Sequence, residues 1–133
     1  MNSNQLALRK VIRDYAHHPF EYGVLDCAHF AALVVQEAVG EDYTEAFKYH
    51  DAESAVEFMG DDYVAKVSEV LSREPVAFED TTEGDPVMIR IPTVGATLGV
   101  KFSASQVVLK TKKGVMWMDD RNFIAGWSVC PKL

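Results

Sequence analysis

The spacing of apolar residues changes once along the chain, near Glu83-Gly84-Asp85, and this change most constrains the fold. Before it, apolar residues recur every three or four positions, as in amphipathic helices. After it they alternate with other residues, as at Val87, Ile89 and Ile91, which is typical of a short strand. The sequence therefore predicts an α+β fold in which helices come first and an antiparallel sheet follows.

The predicted elements fill one domain of 133 residues, with a helical part at 1–75 and a sheet part at 84–133. Five short strands joined by tight turns predict a small antiparallel sheet or half-barrel. We expect helices at about 4–17, 27–39, 55–59 and 62–71, and strands at 87–91, 96–102, 106–111, 115–118 and 124–130.

The net charge of −7 is unevenly distributed. Residues 1–40 carry −1, residues 41–85 carry −11 and residues 86–133 carry +5. The acidic middle argues against nucleic-acid binding. In the basic third, Lys110, Lys112 and Lys113 flank a turn, and we interpret them as solvated charges at a strand edge that could also meet an acidic partner.

Several classes of protein do not fit the sequence. No apolar run reaches the length of a membrane span, so membrane insertion is not expected. The N-terminus shows no secretory signal, and two cysteines are too few for a disulfide framework, which favours reduced thiols in a cytoplasmic setting. No motif indicates a cofactor, and none is expected.

The segment Phe20–Cys27 delivers a cysteine to the start of the most apolar helix. Asp26 is placed as its N-cap and can accept from the N–H groups of Ala28 or His29. The helix dipole favours the thiolate of Cys27, whereas the Asp26 charge opposes it. From the spacing alone, Cys27 is either a tuned nucleophile or a small buried core residue.

The order of these motifs resembles the NlpC-type branch of the papain-like fold. The stretch from Pro19 to Ala32 is especially similar to a family of small proteins encoded among phage tail genes. The similarity extends through Gly40, Tyr49, Gly84-Asp85, Leu98-Gly99-Val100 and Gly126-Trp127-Ser128-Val129.

The resemblance implies a site built around Cys27. In active peptidases of this fold, a histidine on the second strand deprotonates the cysteine, and the corresponding motif is Thr97-Leu98-Gly99-Val100 here. Thr97 therefore stands at the expected base position, and we expect it to face Cys27. The resemblance also assigns Asp26 as the N-cap beside the site and Tyr22 as a wall of its pocket.

A replacement for the missing base is hard to find. Residues 51–133 contain no histidine, and His29 lies about 200° round the helix from the thiol. Only His17, His18 and His50 remain, and each would need an unusual path to reach it. Loss of the general base removes roughly 100- to 10,000-fold in rate.

These observations leave alternative functions open. The first is a non-catalytic papain-like domain that binds other phage tail or tail-tip proteins, in the host cytoplasm during assembly and in the virion tail afterwards. The second is an active thiol peptidase or amidase that cleaves peptidoglycan stem peptides with Cys27. A third, metal binding by Cys27, His29 and Asp119-Asp120, is weak because Cys-x-His does not bring its ligands together on a helix.

Overall fold

The computed structural model describes residues 1–132 and is an α+β fold, as the sequence predicts. Within this range, four α-helices precede a five-stranded antiparallel sheet. The helices are α1 (Ser3–Tyr15), α2 (Cys27–Val39), α3 (Ala52–Met59) and α4 (Tyr63–Leu71). The strands are β1 (Pro86–Ile91), β2 (Gly95–Ser103), β3 (Gln106–Thr111), β4 (Gly114–Asp119) and β5 (Phe123–Gly126).

The strands lie in the order β4-β3-β2-β1-β5, so β4 and β5 form the two edges of the sheet. Side chains of one face pack in the main core with α2, and those of the other face pack around Phe78. Residues on the α2 face include Met88, Leu98, Val100 and Val108; residues on the Phe78 face include Val87, Ile89, Val107 and Leu109.

Helix α2 lies at the centre of the core, in contact with α1, β2 and β3. Its bounds match the prediction because both ends carry local signals. Asp26 caps the first turn by accepting from the His29 N–H, and Gly40 ends the helix in the left-handed conformation at φ 78°. Phe30 and Val34 are fully buried, as the apolar stripe requires.

Strand β5 is shorter than the predicted 124–130 and ends at Gly126. The residues that follow leave the ladder because the buried Asp85 carboxylate accepts hydrogen bonds from the N–H groups of Val129 and Cys130. Asp85 also accepts from Thr82, and it thereby ties the start of β1 to the last part of the chain. This contact gives the Gly84-Asp85 motif a structural role.

The interpretation of Lys110 as a solvated charge is wrong. Its side chain is buried, and its ammonium group donates to the carbonyls of Tyr15, Ala16 and His18. These carbonyls lie at and beyond the C-terminal end of α1, where a cation is favoured by the helix dipole. Lys112 is exposed, as expected.

A second lysine of the basic third is also buried. Lys101 donates to the carbonyls of Phe78 and Thr81, and its ammonium group lies 4.3 Å from the centre of the Phe78 ring. The positive charge of residues 86–133 is therefore partly used inside the fold. Among residues 1–132, no helix is both long enough and apolar enough to cross a membrane.

Candidate functional site

The loop before α2 is closed by Gly23. Glu21 and Leu25 form an isolated antiparallel bridge, and Gly23 turns the chain between them at φ 82°. A Cβ atom on this residue would lie only 2.0 Å from the carbonyl oxygen of Tyr49, so no other residue fits without movement of the backbone. The Gly23 N–H donates to Asp26 Oδ2 at 2.9 Å. The glycine of the Gly-x-x-Asp-Cys motif thus places the loop against both Tyr49 and the helix cap.

Asp26 is a fully buried carboxylate at the centre of the site. Besides Gly23, it accepts from the His29 N–H at 2.9 Å, and His29 Nδ1 lies 2.8 Å from Oδ1. Burial opposes ionisation, but these hydrogen bonds prevail and the pKa of Asp26 is lowered from its usual 3.8. Because an ionised carboxylate only accepts, the ring Nδ1 carries the donated proton.

His29 is buried and held in place by this contact with Asp26. Its ring also meets the rings of Phe47 and Tyr49 edge to face, with centroid distances of 6.0 and 5.5 Å. Within residues 1–132, no hydrogen bond joins this ring to Cys27. The imidazole two residues after the cysteine is therefore hydrogen-bonded to the helix cap.

Cys27 is partly exposed at the first position of α2. Burial of the sulfur raises the pKa of the thiol from 9.0 to about 12, and the negative charge of Asp26 adds to the effect. Hydrogen bonds from the backbone N–H groups of Leu98, Ala28 and Cys27 itself act in the opposite direction but do not outweigh it. The helix start therefore does not lower the pKa of this thiol.

Strand β2 runs beside the start of α2, where the Leu98 N–H faces the Cys27 sulfur. The Thr97 side chain, however, belongs to the other face of β2. Thr97 is paired with Ile89, and a Cβ on Gly99 would meet Val107 and Leu109, so alternation places Thr97 on the Phe78 face. Its hydroxyl donates to the carbonyl of Gly95 at 3.2 Å. The expectation that the Thr97 side chain faces Cys27 is therefore not met.

Tyr22 lies in the loop before α2, where its ring meets that of Phe20 edge to face at 5.0 Å. The ammonium group of Lys112 lies 5.5 Å from the centre of the Tyr22 ring. Tyr22 thus links this loop to the turn between β3 and β4.

Among the described residues, none of the remaining histidines is hydrogen-bonded to Cys27. His17, His18 and His50 are exposed, and His50 Nε2 lies 3.4 Å from Asp51. In the part of the chain that the structure describes, no three metal-binding side chains come together, so Cys27, His29 and Asp119-Asp120 do not form a metal site.

Two tyrosines belong to the site, although the sequence alone did not assign them to it. Burial raises the pKa values of Tyr49 and Tyr63, and the negative charge of Asp26, together with that of Cys27 at the high pH where its thiol ionises, raises them further. Tyr49 was visible only as part of the motif series, and nothing in the local pattern singled out Tyr63 at the start of α4. The site is a compact cluster in which Asp26 is the charged member.

A cavity of about 590 Å³ lies along α4. It is lined by Asp62, Val64, Ala65, Ser68, Glu69, Ser72, Arg73, Glu74 and Pro75. None of the residues around Cys27 contributes to it.

The model of a protein family described as a domain of unknown function, DUF6950, matches residues 2–129. The chain belongs to this family. No curated protein matches the sequence. The DUF6950 match covers the loop, the helix start and all five strands, so the Gly23, Asp26 and Cys27 arrangement lies inside the family domain.

Proposed function

We propose that this DUF6950 chain is a non-catalytic papain-like domain of the NlpC type that acts in phage tail-tip assembly or as a virion tail component. The order of motifs from Pro19 to Val129 supports the fold type and the phage context. The observation that supports the loss of catalysis is the hydrogen bond between His29 Nδ1 and Asp26, which holds the imidazole closest to Cys27 in sequence on the helix cap.

The chemistry of the thiol supports the same proposal. A cysteine peptidase attacks through the thiolate, which a neighbouring imidazolium stabilises. With a pKa of about 12, Cys27 is ionised in only about one molecule in 100,000 at pH 7. No base within residues 1–132 is hydrogen-bonded to it, so the step that removes the proton has no residue to perform it.

The site is better suited to holding the domain together. Asp26 joins the loop at Gly23, the first turn of α2 and the ring of His29 through three hydrogen bonds. This arrangement keeps a papain-like framework in place without using its thiol. Other tail or tail-tip proteins would then bind the outer surfaces of the domain.

Digestion of purified peptidoglycan distinguishes this function from that of an active peptidase or amidase. Wild type, Cys27→Ala and Cys27→Ser are incubated with sacculi and with soluble muropeptides, and the products are separated by chromatography. We expect the same product profile from all three proteins and from a buffer control. Product that depends on Cys27 would refute the non-catalytic assignment.

The assembly role requires a separate experiment, in a phage that carries this gene. Plasmid-borne variants are tested for their ability to restore tail formation to a deletion mutant, with tails counted by electron microscopy. Cys27→Ser is expected to restore tails as well as wild type does, whereas Asp26→Ala is expected to fail. Normal tails without any copy of the gene would contradict the assembly role.

A further inference from the structure

Strand β4 is an edge strand with an unusually apolar sequence. It lies at one end of the sheet order, and β3 is its only strand neighbour among the described residues. Met116 and Trp117 are 40% and 45% exposed, although they are large apolar side chains in the middle of the strand. Free edges of this kind normally carry charges or prolines in mid-strand that prevent pairing with another chain, and β4 has neither.

The backbone of β4 offers a regular set of free groups. A two-residue turn at Lys112-Lys113 joins β3 to β4, and the closing pair is Thr111 with Gly114. In such a hairpin the closing pair is hydrogen-bonded, and the following pairs alternate between non-hydrogen-bonded and hydrogen-bonded. The N–H and C=O groups of Val115, Trp117 and Asp119 therefore point outward, away from β3.

The two ends of β4 carry opposite charges. Exposed Lys112 and Lys113 precede the strand. Asp119, which is ion-paired with Arg121, and Asp120 lie at its other end and leave it with a net negative charge. An antiparallel copy of the same strand would place the basic end of one chain beside the acidic end of the other. Every such contact would occur twice, because a two-fold interface uses the same surface on both chains.

We propose that β4 pairs antiparallel with β4 of a second copy of this chain, which extends the sheet across a two-fold axis at Met116. In this register Val115 lies opposite Trp117 of the second copy, so the outward backbone groups match. Lys113 then lies opposite Asp119, and Lys112 opposite Asp120. The two Met116 side chains meet at the axis in a non-hydrogen-bonded pair, where side chains approach most closely.

This inference is independent of the Cys27 site and of the proposed function. It rests on the free edge, the exposed Met116 and Trp117, and the match of charge and hydrogen-bond register. Shifting the register by one residue would set outward groups against inward ones, so the charge match and the backbone match select the same alignment.

Sedimentation velocity of the whole chain over a wide concentration range tests the proposal. We expect a concentration-dependent dimer of wild type. Met116→Lys, which places two ammonium groups at the axis, should weaken it at least tenfold. Val56→Lys is the matched control, because Val56 is 68% exposed on α3, and it should leave the dimer unchanged.

A charge exchange tests the register itself. Lys112→Glu and Asp120→Lys should each weaken the dimer by roughly tenfold, since each change acts at two symmetric contacts. The double variant should recover wild-type association. A monomer at every concentration, a dimer indifferent to Met116→Lys, or a double variant weaker than both single variants would overturn the proposal. Circular dichroism of each variant establishes that the fold is retained.

Discussion

Replacing Asp26 with alanine should show how strongly the site depends on one carboxylate. Asp26 is fully buried and satisfies three donors, the N–H groups of Gly23 and His29 and the His29 ring. A buried donor that loses its acceptor costs about 1–3 kcal/mol. Allowing for partial relaxation, we expect Asp26→Ala to lower the free energy of unfolding by roughly 3–6 kcal/mol.

Asp51 is a matched control because it caps α3 as Asp26 caps α2, but its carboxylate is exposed to solvent. Its carboxylate accepts from the Ser54 N–H at 2.7 Å, and its side chain is 56% exposed. Water can replace that acceptor, so Asp51→Ala should lower the free energy of unfolding much less than Asp26→Ala does. The difference between the two alanine variants isolates the effect of the buried network from that of helix capping.

Urea unfolding followed by tryptophan fluorescence measures both variants, since Trp127 is fully buried and reports on the core. The free energy of unfolding of a domain of this size is only about 5–15 kcal/mol, and Asp26→Ala removes a large part of it. This variant is therefore measured at low temperature, so that it starts from the folded state. Asp26→Asn, which keeps one acceptor oxygen, should fall between wild type and Asp26→Ala. Equal losses for Asp26→Ala and Asp51→Ala would refute the reasoning.

Three further predictions follow from the same contacts. Gly23→Ala should cost several kcal/mol more than Gly40→Ala in urea unfolding, because both residues have positive φ but only Gly23 lies against a backbone carbonyl; equal costs would contradict this. Lys110→Met should lower the free energy of unfolding by about 2–3 kcal/mol, because it leaves three carbonyls near the end of α1 without their donor, whereas Lys112→Met should leave it nearly unchanged. Similar losses for the two variants would place the Lys110 ammonium group in solvent. The folded pKa of Asp26 lies below 3.8, so the contribution of its charge to the free energy of unfolding is complete above pH 3.8 and is lost as the pH falls through the folded pKa. The difference in unfolding free energy between wild type and Asp26→Ala should therefore narrow in acid. A difference that stays constant would exclude an ionised carboxylate.

The elements with strong local signals could be predicted from the sequence. The cap at Asp26, the left-handed glycine at Gly40 and the apolar stripe between them fix α2 without tertiary information. The two-residue turn likewise fixes the β3–β4 hairpin. In these cases the residues that decide the structure are neighbours in the chain.

Most of the missed features depend on residues that are distant in sequence. Lys110 is buried because the end of α1 lies beside β3, and β5 ends early because Asp85 binds the N–H groups beyond it. The face of the sheet on which the Thr97 side chain lies follows from the pairing of Thr97 with Ile89. The sequence of one strand does not reveal its pairing with a neighbouring strand. The Asp26–His29 contact is local, and its three-residue spacing at a helix start could have indicated it.

The pH dependence of Cys27 alkylation tests the non-catalytic assignment most directly. The protein carries Cys130→Ser, so that Cys27 is the single thiol, and its reaction with iodoacetamide is followed by mass spectrometry from pH 6 to 10.5. Because burial and the Asp26 charge raise the pKa of Cys27 to about 12, the rate should still be rising at pH 10.5, without a plateau. A plateau with a midpoint at or below the ordinary value of 9.0 would show a stabilised thiolate and contradict the account.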